Sequence, residues 1–132
     1  MASIFTKIIN GEIPCEKVYE DETYFSFLDI RPISKGHTLL IPKQEIDYFF
    51  DCDDDLLAGM MPVAKRIAGA LKSVIDCTRV GLLVAGMEVP HAHLHLVPIT
   101  SETQLSFAHA RPADPAHLND LAKALRETLG TT

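Results

Sequence analysis

At 132 residues the chain has the length of a single domain, and 47% hydrophobic with 23% charged residues exclude a disordered or fibrous protein. Eighteen acidic against twelve basic residues leave a net charge of −6. That argues against a general binder of nucleic acid or anionic membrane, since either needs a basic footprint, and an anionic substrate would have to find local donors. No apolar run reaches 18 residues, and the amphipathic opening Ile4–Ile9 has no basic flank and no long apolar segment, so neither a span nor a leader is expected and the expected location is cytoplasmic.

In chain order, Ile4, Phe5, Ile8 and Ile9 recur at helical spacing, and Asn10-Gly11 tolerates the positive φ that ends a helix, so a short helix is predicted there. Val18-Tyr19 and Tyr24–Leu28 are rich in β-formers and flank Glu20-Asp21-Glu22, which predicts a hairpin with an acidic turn. After a loop broken by Pro32 and Gly36, His37–Ile41 forms a third strand stopped by Pro42. The run Asp51–Asp55 caps a helix whose buried face is Leu56, Met60, Val63, Ile67, Ala70, Leu71 and Val74. Pro62 either kinks that helix or marks where its regular part begins.

Val80–Ala85 and Ala92–Val97 are predicted as an antiparallel pair around Gly86–Pro90, bringing the count to five strands. Residues 100–112 show no periodicity and read as an irregular connection. Asp114 then caps a final helix with Pro115 in its first position, Leu118, Leu121, Ala122, Leu125 and Leu129 on one face, and Gly130 as terminator. Cys15, Cys52 and Cys77 are odd in number and widely spaced, with no C-x-x-C pair, which argues against a disulfide framework or a cysteine-rich zinc site. Without a repeat or linker, residues 1–132 are expected to form one domain.

The chemistry concentrates in His91-Ala92-His93-Leu94-His95. Side chains alternate across a strand, so the three histidines share one face and Ala92, Leu94 and Leu96 the other. Same-face positions lie about 6.6 Å apart, near enough for one phosphate to meet more than one ring. A three-histidine zinc site is the competing reading, but no cysteine or carboxylate stands at ligand spacing to support it. Phosphoryl transfer explains the cluster better. A neutral imidazole is a competent nucleophile, and neighbouring rings supply a proton donor and charge stabilisation without a metal. No metal or other cofactor is expected.

These residues resemble the histidine triad (HIT) family, whose three histidines alternate with apolar residues as in His91–Val97. The resemblance extends to Ser3–Ile9, Glu12-Ile13-Pro14, Phe27–Pro32 and Gly36–Lys43, and covers residues 3–99, with 114–130 as an added C-terminal helix. It is nearest to the Hint-like branch, small homodimers that hydrolyse purine nucleoside phosphoramidates and aminoacyl adenylates through a nucleotidyl-histidine. The resemblance implies an α+β fold, a five-stranded antiparallel sheet with a long helix, continued across a dimer. It implies His93 as nucleophile, with His95 and His91 orienting phosphate and assisting proton transfer and His37 completing the set. It also implies Asp29 on the ribose, Phe5, Ile8, Ile30 and Leu39 around the base, and Gly86, Met87, Glu88 and Val89 along the substrate.

Departures from the pattern are as informative. Glu88 stands where the family often has a serine facing the leaving group; it either favours amine-like leaving groups or turns to solvent. The asparagine usual on the preceding strand has no counterpart between Arg79 and Gly86. Some bacterial members hold a structural zinc where this chain has Ser3, Thr6, Gln44 and Glu45, so that zinc is not expected. The sequence implies a hydrolase of nucleoside 5′-phosphoramidates or related conjugates. Alternatives are a dinucleoside polyphosphate hydrolase and a nucleotide-binding regulatory dimer.

Overall fold

The computed structural model describes residues 2–130. Helix α1 spans Ile4–Ile9; the Ser3 hydroxyl caps it by accepting from the Thr6 amide, and Gly11 follows at φ 80°. Strands β1 (Lys17–Glu20) and β2 (Tyr24–Leu28) form the expected hairpin. Its turn is built on one carboxylate: Asp21 accepts from the amides of Thr23 and Tyr24 and from the Tyr19 hydroxyl, each at 2.7 Å. Strand β3 runs Thr38–Pro42, so His37 stands one residue ahead of it and Pro42 is its last residue.

Helix α2 spans Asp54–Val74 with Asp53 as its cap, and Pro62 lies inside it without ending it. The reason is its position on the helix. Pro62 and Ala58 are both exposed, so the Ala58 carbonyl that loses its partner faces water. Strands β4 (Arg79–Leu83) and β5 (Leu94–Ile99) and helix α3 (Pro115–Leu129) complete the chain, with Asp114 capping α3 and Gly130 at φ 77° closing it.

The sheet order is β1-β2-β3-β5-β4, antiparallel throughout. One face carries Leu28, Leu40, Leu94 and Leu96 into the main core, where Met60, Ile67 and Leu71 of α2 meet Leu118, Leu121 and Leu125 of α3. The opposite face carries a smaller cluster, Phe25, Phe27, Leu39 and Ile41, closed by Phe5 from α1. Ala92 and Leu94 enter the main core as alternation requires.

Two local expectations change. β5 begins at Leu94, not Ala92, and the connection from β4 occupies residues 84–93 instead of a tight hairpin. The Ala92 amide donates to the Ile46 carbonyl at 2.6 Å and the His91 amide to Val89 at 2.8 Å, so neither is free to pair with β4. Residues 100–112 hold two single 3-10 turns, Glu102–Gln104 and Phe107–His109. All three cysteines are free thiols. Among the described residues no helix is long and apolar enough to cross a membrane.

Candidate active site

Antiparallel pairing of β3 with β5 sets Leu39 opposite His95, which brings the residue before β3, His37, to the ring of His95. Their nitrogens, His37 Nε2 and His95 Nδ1, lie 2.8 Å apart. The direction of that bond follows from its neighbour. The Ile33 amide donates to His37 Nδ1 at 2.9 Å, so the neutral His37 ring carries its hydrogen on Nε2 and donates it to His95 Nδ1. His95 in turn must carry its own hydrogen on Nε2. The Asp29 carboxylate sits 3.7 Å from His37 Nε2 and favours the same arrangement.

His93 is fixed by a single bond. Its Nδ1 lies 2.7 Å from the His91 carbonyl, which can only accept, so in the neutral ring the lone pair is on Nε2. Phe5 packs edge-on at 5.1 Å and the His95 ring at 4.9 Å between centroids, which holds the imidazole from both sides.

His91 is placed differently from its two companions. It is wholly buried; its Nε2 donates to the Pro42 carbonyl at 2.8 Å and its Nδ1 accepts from the Ser3 hydroxyl at 2.8 Å. No ring nitrogen is left for a phosphate, so His91 reaches the centre through its carbonyl. The three motif histidines therefore do not converge as metal ligands. The atoms that do lie within 4.8 Å of one another are those of Asp29, His37 and His95, and both nitrogens of His37 are already taken.

Beneath His91, the Ser3 amide and the Thr6 hydroxyl both donate to Glu45 Oε1 at 2.6 Å. These are the positions at which the sequence argues against a structural zinc, and here they form a hydrogen-bonded cluster joining α1 to the loop after β3. Burial dominates the electrostatics. It lowers the pKa of His95 from 6.5 to about 3, helped by the rings of His37 and His93. It lowers His37 against the pull of Asp29, and His91 against the Pro42 carbonyl. The three supporting rings are neutral at physiological pH, as their hydrogen-bond directions require.

Among the residues expected around the nucleoside, Phe5 and Leu39 are buried in the small cluster, Ile8 and Asp29 are half-buried, and Ile30 is 68% exposed. Gly86, Met87 and Glu88 line a cavity of about 170 Å³ together with His93 and His95, whereas Val89 packs against the Phe5 cluster instead. A second cavity of about 300 Å³ opens on the other side of His93, beside Tyr48 and Phe50.

Sequence reasoning missed three residues. Phe107 lines the cavity of about 170 Å³ with its ring 5.1 Å from that of His95, and Ser3 and Glu45 support His91. Nothing periodic marks Phe107, and the bonds of Ser3 span 42 and 88 positions in the chain. The tail also grips the loop between β2 and β3, the amides of Arg111 and Ala113 donating to the carbonyls of Pro32 and Ile30.

An antiparallel sheet with a buried imidazole chain on one face and an unencumbered ring nitrogen beside it defines a class of protein known from relatives. The HIT domain model matches residues 10–102, and the chain belongs to the HIT family. The adenosine 5′-monophosphoramidase HNT1 of Saccharomyces cerevisiae is 37% identical over 129 residues, covering 97% of this chain and 81% of its own. The crystal structure of a hypothetical histidine triad nucleotide-binding protein from Sulfolobus tokodaii superposes with a TM-score of 0.86 at 31% identity, over 96% of this chain and 91% of that one. A Zn-bound histidine triad family protein from Mycobacterium smegmatis gives 0.83 at 33% identity, over 98% and 94%.

Proposed function

We propose that this HIT-type nucleotide hydrolase cleaves nucleoside 5′-phosphoramidates and related monophosphate conjugates through a nucleotidyl intermediate on His93. The observation that carries the reading is the bond from His93 Nδ1 to the His91 carbonyl, which leaves the Nε2 lone pair facing the cavity that His95 also lines. His93 Nε2 attacks phosphorus and the P–N bond breaks; its electron pair leaves with the amine nitrogen, which takes a proton from solvent, while neutral His95 donates a hydrogen bond from Nε2 to a phosphoryl oxygen and keeps its hydrogen. Water then attacks phosphorus, the bond to Nε2 breaks and returns its electron pair to His93, and the proton that the water loses passes to solvent. His37 orients His95, and His91 orients His93 through its carbonyl.

Asp29 accepts from the ribose hydroxyls, and Phe5, Ile8, Ile30 and Leu39 flank the base, with a purine favoured by the aromatic and aliphatic surface they offer. Two relatives named adenosine 5′-monophosphoramidase, from Saccharomyces cerevisiae and Schizosaccharomyces pombe, support this substrate class. Two copies pair through β4. That strand is a sheet edge, and Met61 and Leu82 beside it are exposed apolar side chains around an open groove.

Incubation with adenosine 5′-phosphoramidate tests the reading. Turnover is expected in the wild type and in Cys77→Ala, with a loss of at least about a thousandfold in His93→Ala. A folded wild type that releases no nucleoside monophosphate from any adenylate or guanylate conjugate would sink it.

A further inference from the structure

We infer that the cavity walled by Glu88 and Phe107 is a subsite for a leaving amine that carries a second, permanent positive charge, an inference that rests on the phosphoramidate reading above. Glu88 is the one carboxylate on the wall of that cavity, which holds no lysine or arginine and otherwise only the two imidazoles as polar side chains. Among the described residues its carboxylate has no hydrogen bond and no ion pair, although it stands beside a site that handles a phosphate anion. Two like charges sharing one cavity oppose each other. A cation carried on the leaving group and lying between them turns that repulsion into two attractions.

The remaining wall suits the same ligand. Phe107 is 46% exposed and Met87 90% exposed, so an aromatic ring and a thioether are left open at the cavity mouth. Aromatic faces attract ammonium and guanidinium groups, and the flexible thioether adapts to the shape it meets. Among the described residues no lysine or arginine lines this cavity. Arg111 turns its guanidinium onto the carbonyls of Ala108 and Ala110, and His109 bonds the Thr103 carbonyl.

Phe107 is also held firmly enough to serve as a wall. The Ser106 hydroxyl accepts from the Ala108 amide, and the Arg111 amide ties the turn's exit to Pro32. The residue lies beyond the stretch 10–102 that matches the HIT domain, so this wall is supplied by the tail and not by the triad region.

The test uses three adenosine 5′-phosphoramidates whose leaving amines have the same chain length and end in trimethylammonium, in its neutral isostere tert-butyl, or in carboxylate. Wild-type kcat/KM is expected to favour trimethylammonium over tert-butyl by about fivefold, the size of a solvent-accessible charge pair. Glu88→Gln brings that ratio to near one, Glu88→Lys reverses the order of the two charged substrates, and Phe107→Leu lowers the ratio. Cleavage of all three with a ratio that Glu88→Gln leaves unchanged, or a wild-type ratio within twofold of one, overturns the subsite alone. If the wild type cleaves none of them, the phosphoramidate reading falls and takes the subsite with it.

Discussion

Burial keeps His37, His91 and His95 neutral in the folded protein, with His95 shifted from 6.5 to about 3. The unfolded chain takes up protons on these rings as pH falls through 6.5, while the native state does not. Stability therefore rises with pH between about 3 and 6.5 and is complete above that window. His95 contributes a slope of about 1.4 kcal/mol per pH unit across that window and His37 and His91 add to it in the same direction, so urea denaturation between pH 6 and 4.5 should show stability falling with a slope of at least about one proton. A flat profile above pH 4.5, where carboxylates contribute little, would show that the rings are not held neutral. At the same scale, Ser3→Ala removes the cap of α1 and leaves a buried His91 nitrogen without its donor, at an expected cost of about 2 kcal/mol. Its kcat should fall with it, because the carbonyl of His91 orients His93. Alternation in the sequence was enough to place His93 and His95 side by side. What His91 does was not legible, because it depends on Ser3 and on the Pro42 carbonyl, 88 and 49 positions away.

Helix α2 meets the sheet at an unusually tight point. A Cβ on Gly59 would collide with the Tyr24 hydroxyl, which donates to the Leu56 carbonyl at 2.6 Å. Gly59→Ala is therefore expected to destabilise by about 1–3 kcal/mol although alanine is the better helix former. In a Tyr24→Phe background most of that cost should vanish; equal costs in both backgrounds would show that the collision is relieved elsewhere. Helices α1, α2 and α3 were all legible from apolar spacing, with caps marking the starts of α2 and α3 and glycines the ends of α1 and α3, since those signals are local. The start of β5 was not. Ala92 looks like a strand residue in sequence, but its amide is claimed by Ile46, a contact between loops that no periodicity records.

Across the whole molecule, the tail does more than lengthen the chain. Leu118, Leu121 and Leu125 of α3 complete the main core, while the segment before it supplies Phe107 and braces Ile30 and Pro32. The family-like half of the site was legible because its residues sit in one short motif; the wall opposite was not, because the tail carries no pattern until it is folded back. The proposed pairing through β4 is also decided at this scale. Leu82 is 45% exposed on that edge strand, and Leu82→Lys should shift sedimentation from a two-chain to a one-chain species. An unchanged sedimentation coefficient would place the interface elsewhere.

The row of donors from Ile33 through His37 to His95 has a closed end. A backbone amide holds its hydrogen throughout a catalytic cycle, so the two rings cannot pass one inward, and the interior is a blind alley for proton traffic. Any proton taken up or given off in the cavity therefore has to cross to solvent on the outward side of His95. The site thus behaves as a one-door chamber, and bulk solvent, not the protein, is the reservoir that resets it.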